Sequence, residues 1–282
     1  MGILLGAIAA VMFGASDVFA SHASRKSSTI AITRTALLTA LLFTPLFLVL
    51  KPFTLTTTDV VYAVLSGVLI SSALLGLYIG YTKAPIGIVA PVASVLTAAV
   101  PVLVDFARGQ GLSLIAGLGV VIGICAVAFS TYQPGGRGSI RIGVVTGALA
   151  GAGIGLSFTL LGATKDTAGL APVPIQRLAG LIFLTLAHPF FKARWIVTKR
   201  PGRSLAIATG LFAGFAMGAL QLGYRYGDAG PVSVAASQFA AAAVLISAFV
   251  ARQRIRWWQG VGLALASKIG RASCRERVLV AV

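Results

Sequence analysis

Residues 2–20 read GILLGAIAAVMFGASDVFA, nineteen positions with a single charge at Asp17. An apolar run of about 20 residues can cross roughly 30 Å of hydrocarbon. Inside lipid the backbone must satisfy its own hydrogen bonds, so a run of this length is a helix. The same stretch returns in the second half of the chain. Gly2, Gly6, Ala7, Gly14 and Ser16 recur as Gly143, Gly147, Ala148, Gly155 and Ser157, all at an offset of 141.

Further apolar runs lie at 30–50, 60–81, 85–104, 112–132, 142–163, 171–191, 205–223 and 229–250, with a short one at 257–266. The gaps between them are brief and carry turn or charge signals, such as Ser24-Arg25-Lys26-Ser27 and Pro134-Gly135-Gly136-Arg137. No gap is long enough for a soluble domain. The chain is 57% hydrophobic and 10% charged, with mean hydropathy +0.95. Soluble domains carry about 25% charged residues, so the deficit places this chain in the membrane class. Its 33 glycines suit helices that approach closely in lipid. The first run has no basic segment before it and is expected to stay as a span, not to be cleaved.

The net charge of +17 invites a nucleic-acid reading. The cations sit in gaps between spans, where they set membrane orientation, and no aromatic-basic motif accompanies them. Nucleic acid is therefore excluded as a partner. Cys125 lies in an apolar run and Cys274 in the tail, so no disulfide framework is expected.

Two later matches extend the repeat. Arg34, in Ile-Thr-Arg34, recurs as Arg177 in Ile-Gln-Arg177, at an offset of 143. Tyr78, followed by Ala84-Pro85-Ile86-Gly87-Ile88, recurs as Tyr224 with Gly230-Pro231-Val232-Ser233-Val234, at an offset of 146. The expected fold is all-α: ten transmembrane helices arranged as two five-helix repeats, over residues 1–132 and 141–267. Five spans per half is an odd number, so the second half enters from the opposite side. The repeats are then inverted, an architecture that places a substrate site near the midplane between halves.

The tail departs from this pattern. It holds Lys268, Arg271, Arg275, Arg277 and Glu276, the only glutamate in the chain. It cuts the tenth span to about ten residues, too few to cross. Residues 268–282 read either as a solvated basic tail or, preferably, as a non-native segment resembling a translated sequencing adapter. Such a segment is set aside in fold reasoning.

Phe13-Gly14-Ala15-Ser16-Asp17-Val18, Arg34, Ala84-Pro85-Ile86-Gly87-Ile88-Val89-Ala90-Pro91 and Gly230-Pro231-Val232-Ser233-Val234 together resemble the drug/metabolite transporter superfamily, specifically EamA-type transporters. The resemblance runs from about residue 2 to residue 266 and rests on the order of these motifs. It implies ten helices and movement, often export, of small metabolites such as amino acids or related compounds. A multi-pass protein of a bacterial cytoplasmic (inner) membrane is expected, with the lipid bilayer and a small-molecule substrate as partners and no cofactor.

The candidate functional residues are polar groups within spans. Asp17 is deeper than the other aspartates, and a carboxylate there has to face a cavity or a basic partner. It serves either proton coupling or a substrate amine, or else pairs structurally with Arg25 or Arg34. Its repeat mate is Phe158, so any coupling is asymmetric. Arg34 and Arg177 either anchor helix ends or gate the path and contact a substrate carboxylate. Tyr78 with Tyr81, and Gln221 with Tyr224, share helix faces and are candidates for cavity lining. Aromatic-belt roles are the alternative. Ser94, Thr97, Ser237 and Gln238 are mid-span polar groups, suited to substrate contact or interhelical bonding. Pro91 and Pro101 free backbone carbonyls in the fourth span and mark either a packed kink or a hinge. The cavity is expected between the first, third, fourth, sixth, eighth and ninth helices. His22 and His188 form no metal-ligand pattern, and His188 is expected at the interface. A membrane enzyme would need a nucleophile-base pair or a metal cluster, and a scaffold subunit would need no polar interior.

Odd gaps hold thirteen cations and even gaps four. Positive-inside reasoning puts the odd gaps in the cytoplasm and the N-terminus outside. The resemblance implies the reverse.

Overall fold

A computed structural model describes residues 1–107, 139–190 and 193–250, and all of its regular elements are helical. The expected fifth and tenth spans and the tail at 268–282 lie outside the described residues. The helices are α1 (Gly2–Ser24), α2 (Thr29–Phe43), α3 (Thr57–Lys83), α4 (Ile86–Ala107), α5 (Ile140–Gly162), α6 (Pro172–Leu186), α7 (Gly202–Tyr226), α8 (Ala229–Ala236) and α9 (Phe239–Val250). Among the described residues, six helical segments are long and apolar enough to cross a membrane. They are Gly2–Ser24, Thr29–Val49, Thr57–Lys83, Ile140–Gly162, Gly202–Tyr226 and Ala229–Ser247. Their outward faces are apolar, with Leu42, Leu149 and Phe215 exposed. Hydrocarbon is the solvent such faces require.

Local chemistry sets where these helices start and stop. At the start of α3, the Thr56 N–H and hydroxyl both donate to the Asp59 carboxylate, at 2.9 and 2.7 Å. The other Asp59 oxygen accepts the Lys165 N–H at 2.8 Å, so the same carboxylate ties α3 to the loop before α6. Pro172 opens α6, where its missing N–H costs nothing. The α2 helix tightens into a 3-10 turn over Thr44–Val49, with Pro45 at its start.

The helices pack by exchange between the halves. The most extensive contact of α1 is with α7, and α5 packs correspondingly on α3. The α4 helix lies on α5, and α8 and α9 lie on α1. The α2 helix lies on α7, and α6 on α3. Close approaches recur, residue for residue at Gly6 and Gly147 and three residues out of step at Gly67 and Gly210. A Cβ at Gly6 would sit 2.7 Å from the Val232 carbonyl oxygen, and one at Gly147 would sit 2.7 Å from that of Val89. Gly67 abuts the Gln176 carbonyl, and Gly210 abuts that of Ala36. Glycine is needed at these points because any side chain would meet backbone.

These contacts correct the register in one place. The ends of α3 and α7, Lys83 and Tyr226, are 143 apart, as are Gly67 and Gly210. Val89 and Val232, which fill equivalent places, are also 143 apart. The match at 146, based on Pro85 and Pro231, is therefore out of step by three residues. Tyr81 is the counterpart of Tyr224, and Tyr78 that of Gln221.

The ninth span departs from a single helix. It breaks at Ser237-Gln238, between α8 and α9. The fourth span, where prolines made a break conceivable, is one helix through Pro91 and Pro101. The Ser94 hydroxyl donates to the Ser237 carbonyl at the break.

Candidate functional site

Asp17 lies seven residues before the end of α1 and is only 5% exposed. Its carboxyl is directed at the Tyr81 hydroxyl and lies within electrostatic reach of Tyr78. Tyr78 and Tyr81 are one turn apart on α3, with ring centroids separated by 6.2 Å. Tyr78 is also within electrostatic reach of the Arg177 guanidinium from α6. The site thus holds one negative and one positive group near Tyr78. Two of its donors are left over. The Tyr81 hydroxyl approaches Asp17 without hydrogen-bond geometry, and the buried Arg177 Nε has no partner. Arg177 NH2 donates to the Ala213 carbonyl at 3.1 Å. Groups of this kind are costly when buried dry, and water or a polar ligand relieves the cost.

Asp17 does not pair with Arg34. The Arg34 guanidinium, 0% exposed, donates to the Leu184 carbonyl at 3.0 and 3.2 Å and to the Trp195 carbonyl at 3.3 Å. It also meets His188 Nδ1 at 2.8 Å and stacks over the Trp195 ring at 5.3 Å. It belongs to the framework between α2 and the segment after α6. Full burial rules out a snorkelling role for either arginine, since Arg177 is 1% exposed. His188, expected at an interface, is half-buried and meets Arg34.

Gln221 and Tyr224 do not join the Asp17 group. They sit toward the opposite end of α1, where Gly223 packs on Gly2 and Leu5. Gln221 Nε2 donates to Thr164 Oγ1 at 3.2 Å, and the Tyr224 hydroxyl meets Ser233 Oγ at 2.9 Å. Arg225 closes this end by donating to the Thr164 hydroxyl at 2.6 Å, to the Thr164 and Gly169 carbonyls at 2.9 and 3.0 Å, and to Asp166 at 3.3 Å. Ser94 and Ser237 meet each other where α4 faces the break. Gln238 is half-buried at the same break, and Pro91 is half-buried one turn before Ser94. Thr97 is buried and donates to the Gly151 carbonyl at 3.3 Å.

A third polar cluster escaped sequence reading. Gln176 Nε2 donates to Ser66 Oγ at 2.7 Å and to Ser157 Oγ at 3.2 Å, and the two serine hydroxyls are 2.6 Å apart. The Gln176 Oε1 is buried without a partner, beside Arg177. The only signal for it was Gln176 in the Ile-Gln-Arg177 motif, since serine within a span is too common to mark a site. Ser16 makes the matching contact in the other half, donating to the Thr209 carbonyl at 3.1 Å. Among the described residues, no group of three or more His, Cys, Asp or Glu could hold a metal ion.

A crystal structure of a protein superposes on the chain with a TM-score of 0.71, covering 96% of each at 14% identity. At that identity the likeness shows the fold alone. Twenty-eight chains of solved structures match in total. No curated protein matches by sequence. Residues 1–132 match the EamA-like transporter family, which belongs to the drug/metabolite transporter superfamily.

Proposed function

We propose that the protein is a secondary transporter, an exporter of small polar or amphipathic metabolites such as amino acids or related compounds. It works by alternating access between two inverted five-helix halves in a bacterial cytoplasmic membrane. The exchanged packing supports the inverted arrangement, because the main helix pairings of one half, and the close approach of Gly6 to Val232, have counterparts in the other. Contact between Ser94 and Ser237, 143 residues apart, fits a pseudo-twofold axis that passes between them.

The observation that carries the reading is the buried Asp17 carboxyl beside Tyr78 and Tyr81, with the Arg177 Nε and Tyr81 hydroxyl left without partners. A carboxyl in a span marks an ion or substrate path. Asp17 binds the coupling proton or a substrate amine, and Arg177 contacts the anionic part of the substrate. The break at Ser237-Gln238 supplies the unwound backbone that such sites use. The end bearing Arg25, Lys26, Lys83 and Arg141 faces the cytoplasm by the positive-inside rule.

Uptake of a panel of labelled amino acids into proteoliposomes, with and without a proton gradient, tests the coupling role. Asp17→Asn is expected to abolish the response to the gradient while leaving the protein folded. An unchanged, gradient-driven rate in that variant would remove Asp17 from the mechanism.

A further inference from the structure

The segments after α2 and after α6 are counterparts, described at 44–56 and 193–201, and each straps one end of the bundle. They differ in charge. The first holds a single cation, Lys51, whose ammonium lies over the Tyr226 ring at 5.5 Å. Its exposed residues are apolar: Leu46, Val49, Leu50 and Phe53. The second carries Arg194, Lys199 and Arg200, with Arg203 in the first turn of α7, all exposed, and residues 187–203 contain no acid. Phe190, 87% exposed, and Trp195 and Ile196 also face outward.

This second strap is built and held. Val197 is buried, and its N–H donates to Thr35 Oγ1 at 3.0 Å. The Trp195 carbonyl is held by Arg34, and Arg194 donates to Thr198 Oγ1 at 3.1 Å. Ser27, next to the exposed Arg25 and Lys26, packs on Gly202 and brings those cations alongside. A backbone-anchored segment with four exposed cations, flanked by outward aromatic and aliphatic side chains, matches a membrane surface with anionic headgroups. The rings enter the interface and the cations meet phosphate.

We propose that the strap at 193–203 binds anionic phospholipid headgroups through Arg194, Lys199, Arg200 and Arg203, and that its counterpart at 44–56 does not. Binding stabilises the strap on Arg34 and thereby holds that end of the bundle. The cation count, which differs between two segments of like position, selects the leaflet.

The test uses the full chain in mixed micelles, titrated with phosphatidylglycerol or phosphatidylcholine and followed by thermal midpoint. Ligands that bind only the folded state raise that midpoint. Phosphatidylglycerol is expected to raise it well above phosphatidylcholine, and the gain is expected to shrink as salt screens the contact. A variant with Arg194, Lys199, Arg200 and Arg203 all changed to Gln should weaken phosphatidylglycerol binding by about tenfold or more. Lys51→Gln should leave it unchanged. Should the quadruple variant fold poorly, the variant with Arg194, Arg200 and Arg203 changed to Lys keeps the charge and should keep the binding. Equal gains from the two lipids, or wild-type affinity in the quadruple variant, would overturn the proposal. Equal stabilisation by soluble polyglutamate would also overturn it, by assigning the face to an acidic protein partner.

Discussion

Arg34 and Arg177 occupy matching places in the two halves, and both are fully buried, yet their surroundings differ. Arg34 engages two carbonyls, a histidine and an indole ring around the segment that follows α6. Arg177 donates to the Ala213 carbonyl, has a buried Nε without a partner and lies within electrostatic reach of the Tyr78 that Asp17 also influences. The same residue at sequence-matched places is fully engaged in one setting and left with an unpartnered donor in the other. Asp17 and Phe158, matched in the same way, differ as a charged and an apolar group. Under the proposed function, packing contacts are held in common while the polar groups diverge where a ligand has to be met.

That contrast can be broken. The largest expected effect is on stability. Arg34→Ala leaves the Leu184 and Trp195 carbonyls unpaired, and should cost about 3 kcal/mol, read as a fall in the thermal midpoint of the purified protein. Arg34→Lys should rescue little, because an ammonium cannot reproduce the guanidinium fork. A wild-type midpoint in Arg34→Ala would end the framework role.

Next come Gly6→Ala and Gly147→Ala, each of which drives a Cβ to 2.7 Å from a carbonyl oxygen of the facing helix. Each should cost about 2 kcal/mol, and the two costs should match within error. A large inequality would show that the two halves do not share one packing scheme.

Arg177→Gln should leave the midpoint near that of the wild type while reducing transport in proteoliposomes by about tenfold, or about 1.4 kcal/mol of transition-state binding. The reverse pattern, lost stability with normal transport, would make Arg177 another Arg34. The smallest effect is expected from Tyr224→Phe. It removes the single bond to Ser233 at 2.9 Å. Hydrogen bonds between membrane helices are worth about 0.6 kcal/mol on average, so the midpoint should barely move.

Much of the site was legible because lipid penalises charge. Asp17 stood out as a carboxylate inside a span, and Tyr78 and Tyr81 as neighbours on one helix face. Gln221 and Tyr224 were grouped with them on the same warrant, but they sit toward the opposite end of α1. Spacing along one helix shows which side chains share a face, not which end of the bundle that face meets. Ser66, Ser157 and Thr164 were missed, since a hydroxyl in a span can bond to its own backbone, and only a neighbouring helix reveals another partner. The role of His188 was invisible for a similar reason: Arg34, its partner, is 154 residues away.

Hydropathy alone determined that the chain lives in a membrane as a series of apolar helices, because burying a backbone in lipid is a local problem with a local solution. The run at residues 2–20 and its echo at 143 also pointed to an internal repeat. The break at Ser237-Gln238 and the different surroundings of the two arginines were decided by tertiary structure. Prolines marked the fourth span for either a packed kink or a hinge, and α4 is continuous through both. The proline-free Ser237-Gln238 step is where the ninth span breaks, with the Ser94 hydroxyl bonded to the Ser237 carbonyl there. Whether a buried polar group is tolerated depends on the atom opposite it, and that atom lies on another helix, far along the chain.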